Sequence, residues 1–382
     1  QRHVMRDVLQ QLAEENIIIL SYDELGETER AVVRDYFRDV IFPVLTPLAV
    51  DHARPFPFIS NLSLNLGVYL EREDNHEEEF ARIKVPSGDI LPRLVNLNKV
   101  MRRYAAQEID GHRFLWVEDV IQNHLDILFP GMSIIEAYPF RVLRNTDIDY
   151  EQEKEEEHLD VMSIIEQSVR ERRFGHVVRL TVPKNMSERM LSRIQSGLEL
   201  HPQAYIYQVE GALGSADLSG LLQVDEPRLR FPSHVPHFPP ETQYEDIFTA
   251  TRRGDFIVHH PYDSFSPVED FFRMAAKDPD VLAIKATLYR VGKNSPIVQA
   301  LMEARDNDKQ VTVLVELKAR FDEENNLVWA KAMEEKGVHV IYGVEELAVK
   351  THAKIALVVR REEDGVKRYL HLGTGNYNAS TA

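Results

Sequence analysis

The order Lys350-Thr351-His352-Ala353-Lys354, followed by the apolar run Ile355 to Val359, sets a histidine and a lysine two residues apart on a predicted strand over Thr351–Val359. Side chains alternate across a strand, so His352 and Lys354 are expected on one face. An ordinary imidazole is a nitrogen nucleophile, largely neutral at pH 7. A lysine ammonium beside it is a fixed positive charge that can hold a phosphoryl oxygen. After a predicted hairpin comes Gly373-Thr374-Gly375-Asn376, a second glycine-rich polar loop. An isolated strand histidine is as readily structural as functional; the neighbouring lysine and the later loop shift that balance towards function.

Two arginines can serve the same chemistry. Arg290 follows the predicted strand ending Thr287-Leu288-Tyr289, and Arg320 follows the one ending Val315-Glu316-Leu317. In a parallel sheet both reach one mouth, where two guanidiniums can grip phosphate oxygens in bidentate forks. Taken alone, they read equally well as solvated surface arginines. Ser295 opens a helix at Pro296, and a helix N-terminus can hold phosphate, although a plain N-cap is the simpler role. His259-His260-Pro261-Tyr262-Asp263 sets two adjacent histidines near a carboxylate. Neighbours on a strand face opposite sides, so a shaped loop lining the site is favoured over a metal cluster. The glycines between Gly211 and Gly220 lack phosphate-loop order and read as a turn.

The elements that must carry these residues fall into two patterns. The first 14 residues read as the end of a helix, and Ile17–Leu20 as a strand. A helix capped at Thr28 follows, ending at Pro43 and Pro47. Strands are expected over Leu62–Leu70, Phe114–Val117 and Val178–Val182, and a helix around Met190, Leu191 and Ile194. The acidic run Asp147–Asp160 leads into a helical stripe of Leu159, Met162, Ile165 and Val169. It reads as a solvated helix start rather than a metal site. Pro227, Pro232, Pro236, Pro239 and Pro240 mark a boundary. Beyond it, helices and strands alternate strictly: a capping box at Ser266-Pro267-Val268-Glu269, a strand over Val281–Leu288, a helix from Ser295-Pro296 to Asp306, a strand over Val311–Leu317, a helix over Leu327–Lys336 closed by Gly337, a strand over Val338–Tyr342, and a hairpin around Asp364-Gly365. Such alternation predicts a mainly parallel sheet with ligands at the strand carboxyl ends.

The 382 residues exceed one ordinary core and predict two or more domains. With 43% hydrophobic and 28% charged residues the chain is of the soluble globular class, and it has no apolar run long enough for a membrane span. No signal peptide is visible, and the absence of an initiator Met suggests a trimmed N-terminus. The lack of cysteine excludes disulfides, thiolate catalysis and cysteine-ligated zinc, and agrees with a cytoplasmic home. The net charge of −17 is uneven: residues 235–382 hold 19 Lys+Arg against 23 Asp+Glu, a net −4, leaving −13 on residues 1–234. A general nucleic-acid binder would be basic. The near-neutral half still offers a cationic channel from Arg252, Arg253, Lys285, Arg290, Lys293, Lys318, Arg320, Lys350 and Lys354.

The H-x-K then G-T-x-N order resembles the half-site of the phospholipase D superfamily. More specifically, Phe42-Pro43-Val44-Leu45-Thr46-Pro47-Leu48, the His259–Phe265 run, Ala286-Thr287-Leu288-Tyr289-Arg290, Leu317-Lys318-Ala319-Arg320-Phe321-Asp322-Glu323, Lys350-Thr351-His352 and Gly373-Thr374-Gly375-Asn376-Tyr377-Asn378 together resemble the long-form, histidine-phosphorylating polyphosphate kinase family. The resemblance implies residues 1–22 as the tail of a helical domain, 23–234 as an α+β head domain, and 235–382 as most of a first phospholipase D-like α/β catalytic domain. It implies reversible transfer of the ATP γ-phosphate to polyphosphate through phosphorylated His352, with Lys354 as phosphate support. Arg290 and Arg320 stand where the family places Mg²⁺ binding. A guanidinium has no lone pair to donate, so they are expected to clamp phosphates that themselves hold the ion. Ser295 and Asn376 are weaker phosphate-binding candidates.

The resemblance also implies a homo-oligomer, dimer or tetramer, with possible peripheral membrane association. The chain stops inside a family motif. A second catalytic domain, a nucleotide-site tyrosine and an adenine-contacting asparagine would lie outside it, so this piece alone is expected not to make polyphosphate. Two other readings stay open on the residues: a phospholipase D-like phosphodiesterase or nuclease half-site, and a non-catalytic polyanion-binding module. Val359, where such phosphodiesterases usually carry Asp, and the acidic balance weigh against the first.

Overall fold

A computed structural model describes residues 4–50, 55–86, 88, 91–145, 174–200, 203–240, 246–317, 323–343 and 351–381. The acidic run 147–160, the helical stripe 159–169, and Lys318, Arg320 and Lys350 lie outside these. The chain divides into two compact units, one ending at Arg230 and the other continuing from Phe231. Among the described residues no helix is long and apolar enough to cross a membrane.

In the first unit β1 (Ile17–Leu20) leads to helix α1 (Glu27–Tyr36). Gly26, not Thr28, precedes that helix, because Glu29 reaches back to accept the Gly26 N–H at 2.9 Å. Strands β2 (Leu48–Val50), β3 (Leu64–Arg72) and β4 (Glu78–Lys84) follow, then β5 (Leu94–Asn96), helix α2 (Leu97–Ala105) and β6 (His112–Trp116). Next come β7 (Met132–Arg144), β8 (Val177–Pro183), helix α3 (Glu188–Gly197) and β9 (Tyr205–Val209). They form a three-stranded sheet, β1-β6-β5, and a six-stranded sheet, β2-β4-β3-β7-β8-β9. Strand β3 is central, so both its faces are buried. Leu64, Leu66, Val68 and Leu70 join one core, and Tyr69 packs on the core holding Phe80 and Met190. Gly67 lets the strand lie close to that second core: a Cβ there would stand 3.0 Å from the Met190 sulfur and 3.3 Å from the Phe80 ring.

In the second unit α4 (Ser266–Lys277), β10 (Val281–Leu288), α5 (Pro296–Asp306), β11 (Gln310–Val315), α6 (Glu323–Glu335) and β12 (His339–Tyr342) alternate as the sequence predicts. β13 (Lys354–Glu362) and β14 (Gly365–Gly373) complete one sheet, β12-β11-β10-β13-β14. The sheet is mixed rather than mainly parallel. Helical crossovers make β10, β11 and β12 parallel, while β13 returns antiparallel to β10 and the Asp364-Gly365 turn makes β14 antiparallel to β13. The three helices share a core with Ile284, Val313, Ala356 and Val358.

Two local expectations are corrected. α4 has no capping box: Ser266 is its first residue, and Ser264 Oγ accepts the Ser266 N–H at 3.2 Å. β13 begins at Lys354 and not at Thr351, which alters the site.

Candidate active site

The carboxyl ends of β10 and β11 lie side by side, and the Glu316 N–H donates to Leu288 O at 2.9 Å. Asn326 of α6 is 1% exposed. Its Nδ2 donates to Tyr289 O at 2.6 Å and Glu316 O at 3.0 Å, so one buried amide ties both strand exits together. Trp329, one helical turn on, donates its indole N–H to Gly292 O at 2.8 Å. Gly292 has φ +75° and lies against Asn378; a Cβ there would stand 3.1 Å from the Asn378 amide nitrogen. The loop leaving β10 is therefore fixed from α6 and packed against the stretch after β14.

Three side chains fasten the main chain around His352. Glu316, 4% exposed, accepts the Thr351 N–H at 2.7 Å. The β10–β13 ladder ends at Ala286 opposite Ala356. One step beyond, the Thr287 hydroxyl takes over, donating to Ala353 O at 2.6 Å and accepting the Ile355 N–H at 3.0 Å. Lys354, 4% exposed, donates from Nζ to His352 O at 2.7 Å. His352 itself is exposed. Its ring meets Tyr289 edge-on, with centroids 4.9 Å apart and planes at 81°. Lys354 Nζ stands 4.8 Å from the same Tyr289 centroid, and the Arg290 guanidinium carbon 5.3 Å. Burial first, and the Arg290 charge second, lower the Lys354 ammonium pKa from its ordinary value.

His352, Lys354 and Arg290 are thus brought together, but not by sharing a strand face. His352 lies two residues before the first strand residue. Lys354 points inward with Ala356 and Val358, since alternation from the true strand start puts all three on the core side. Its ammonium is turned to a main-chain carbonyl beneath the histidine. Arg320 lies outside the described residues. Ser295, 2% exposed, is occupied as an N-cap, accepting the Val298 N–H at 3.3 Å. Asn376 follows β14, whose last residue Gly373 pairs with Lys354. Its Oδ1 is buried without a hydrogen-bond partner among the described residues. It lines a cleft of about 640 Å³ with His259, His260 and His371, which neither His352 nor Arg290 lines.

The His259–Asp263 segment is a shaped loop. Asp263 accepts the His259 N–H on its carboxylate at 2.6 Å, and His260 Nδ1 donates to Asp263 O at 3.0 Å. The His259 N–H is the first cause holding the Asp263 carboxyl below its ordinary pKa. Among the described residues no group of three or more His, Asp or Glu is placed to hold a metal ion. Arg290 offers no lone pair, and an oxygen of the buried Glu316 carboxylate is taken by Thr351. These residues do not fit a protein-ligated Mg²⁺.

Sequence reasoning missed Thr287, Tyr289, Glu316 and His371. The first three stood at predicted strand ends beside the candidates, which was the available signal. His371, on β14, shares a 2.9 Å hydrogen bond between Nδ1 and the Tyr377 hydroxyl. Burial, and secondarily the His260 charge, push its pKa down to about 4, so it is neutral at pH 7.

Known proteins supply the remaining context. Residues 28–221 match the family profile described as the polyphosphate kinase middle domain, and residues 246–382 match polyphosphate kinase C-terminal domain 1. The chain is 51% identical over 376 residues to polyphosphate kinase 1 of Chlorobaculum tepidum, covering 98% of this chain and 52% of that protein. It is 45% identical over 392 residues to the polyphosphate kinase of Mycobacterium tuberculosis, covering 100% and 51%. The crystal structure of polyphosphate kinase from Porphyromonas gingivalis superimposes with a TM-score of 0.76 at 28% identity, covering all of this chain and 54% of that one. The chain spans about half the length of the curated relatives it matches. Two family profiles that between them cover most of the sequence, and a mixed α/β architecture shared with a solved relative, lead to one conclusion: this chain belongs to the polyphosphate kinase family.

Proposed function

We propose that this chain carries the phosphoryl-accepting histidine of an ATP:polyphosphate phosphotransferase. The observation that carries the reading is the exposed His352 imidazole, held beside Lys354 and Arg290 on a main chain fixed at Thr351, Ala353 and Ile355. With it goes the finer reading of the fold: an α+β head over residues 23–234 and a phospholipase D-like catalytic domain over 235–382.

A ring nitrogen of His352 attacks the γ-phosphorus of ATP in line. An N–P bond forms as the bond from that phosphorus to the β,γ-bridging oxygen breaks, and ADP leaves with the electron pair. A terminal oxygen of polyphosphate then attacks the same phosphorus, the N–P bond breaks, and the chain is one phosphate longer. Arg290, with Arg320, grips the phosphate oxygens. Lys354 acts from below, holding the His352 carbonyl and adding positive charge to the site. Asn376, which follows β14 and lines the cleft with His371, is kept as a weaker, separate candidate for a phosphate contact. Labelling the full-length protein with [γ-³²P]ATP and mapping the acid-labile phosphate tests this. Label on the peptide holding His352 is the expected result, and label only elsewhere sinks the reading.

The Glu316 contact yields its own prediction. In the full-length protein Glu316→Ala removes the acceptor that fixes Thr351, and the rate of phosphohistidine formation is expected to fall on the order of 100-fold. Glu316→Gln keeps an acceptor oxygen and should restore most of that loss in a single-turnover assay.

A further inference from the structure

We propose that Tyr289 is a positioning residue for His352, its ring fixing the imidazole while gathering the charges of Lys354 and Arg290 beside it. Three contacts converge on that one ring: His352 edge-on at 4.9 Å, Lys354 Nζ at 4.8 Å and the Arg290 guanidinium at 5.3 Å. An aromatic face is negative and its edge positive, so the 81° meeting with His352 is the attractive orientation. The same face attracts cations. Tyr289 is itself anchored, since its carbonyl accepts from the buried Asn326 at 2.6 Å. The ring therefore starts from a fixed point on the β10 exit.

The choice of a ring suits an anionic substrate. A carboxylate would gather the two cations more strongly, but its full negative charge would repel incoming phosphates and compete for the same N–H donors. A π-face offsets the repulsion between ammonium and guanidinium without a formal charge and without occupying an N–H. The phenol hydroxyl is not needed for this, which separates the role from acid–base chemistry by Tyr289.

The inference rests on His352 carrying the phosphoryl group, and the experiment keeps the two apart. Single-turnover phosphorylation by [γ-³²P]ATP is measured on the full-length protein, on Tyr289→Phe and on Tyr289→Leu. Tyr289→Phe is expected to stay within ~3-fold of the parent, and Tyr289→Leu to form phosphohistidine at least ~10-fold more slowly with a much smaller change in KM for ATP. A second series keeps the ring's shape: phenylalanine at position 289 bearing successively more fluorines, which drains the π-face without emptying the space. The rate should fall stepwise with fluorination. A Tyr289→Leu protein as fast as the parent, a Tyr289→Phe protein as slow as Tyr289→Leu, or a flat response to fluorination overturns the proposal. Absence of histidine-bound label in the parent overturns the functional reading instead.

Discussion

Replacing His352 with Ala in the full-length protein is expected to abolish both acid-labile labelling and polyphosphate synthesis, a loss on the order of 10⁴-fold or more, because the proposed route runs through its ring nitrogen. The fold should not suffer. His352 is exposed, and the hydrogen bonds that fix its segment run through main-chain atoms of Thr351, His352, Ala353 and Ile355, all retained in the variant. An unchanged melting temperature with no label is the expected pair of results. Retained labelling at wild-type rate would show that another group accepts the phosphate. Retained synthesis without label would point to direct transfer between ATP and the chain.

Phe272→Ala is expected to destabilise the second unit by about 3–5 kcal/mol, the range for deleting a fully buried aromatic ring. Phe272 has no exposed surface. Its ring packs edge-on against Phe271 at 5.7 Å and Tyr377 at 5.3 Å. Tyr377 in turn bonds His371 and directly follows Asn376. The cavity thus opens under the loop leaving β14, and that loop should loosen before the sheet melts. Denaturant unfolding gives the stability loss, and hydrogen exchange at Gly373–Asn378 gives its location. A loss below 1 kcal/mol would mean the neighbouring aromatics collapse into the space.

Much of the second unit could be read from residue order because its signals are local. Ile284–Leu288 alternates, Ser295-Pro296 opens a helix, and Gly337, with φ +79°, closes one. The mixed sheet was harder. The Asp364-Gly365 turn announces the β13–β14 hairpin, but nothing near β13 says that it returns beside β10. The candidate residues were visible by type, whereas their geometry was not. β13 starts where Lys354 pairs with Gly373, and Thr287, 66 residues from Ala353, ties the neighbouring main chain to β10; neither partner is announced near His352 in the sequence, yet the strand start is what turns Lys354 inward. Glu316, Asn326 and Tyr289 carry no special spacing; their importance comes from partners that only the folded chain brings near.

The inward lysine has a further consequence. Lys354 and Arg290 stand beside one tyrosine ring, and burial together with the Arg290 charge lowers the Lys354 ammonium pKa. A phosphoryl group on the adjacent imidazole would bring negative charge close to both. On the proposed chemistry, phosphorylation of His352 should therefore favour the charged form of Lys354 and return its pKa towards the ordinary lysine range, so the residue that holds the histidine carbonyl would also register whether the histidine is loaded.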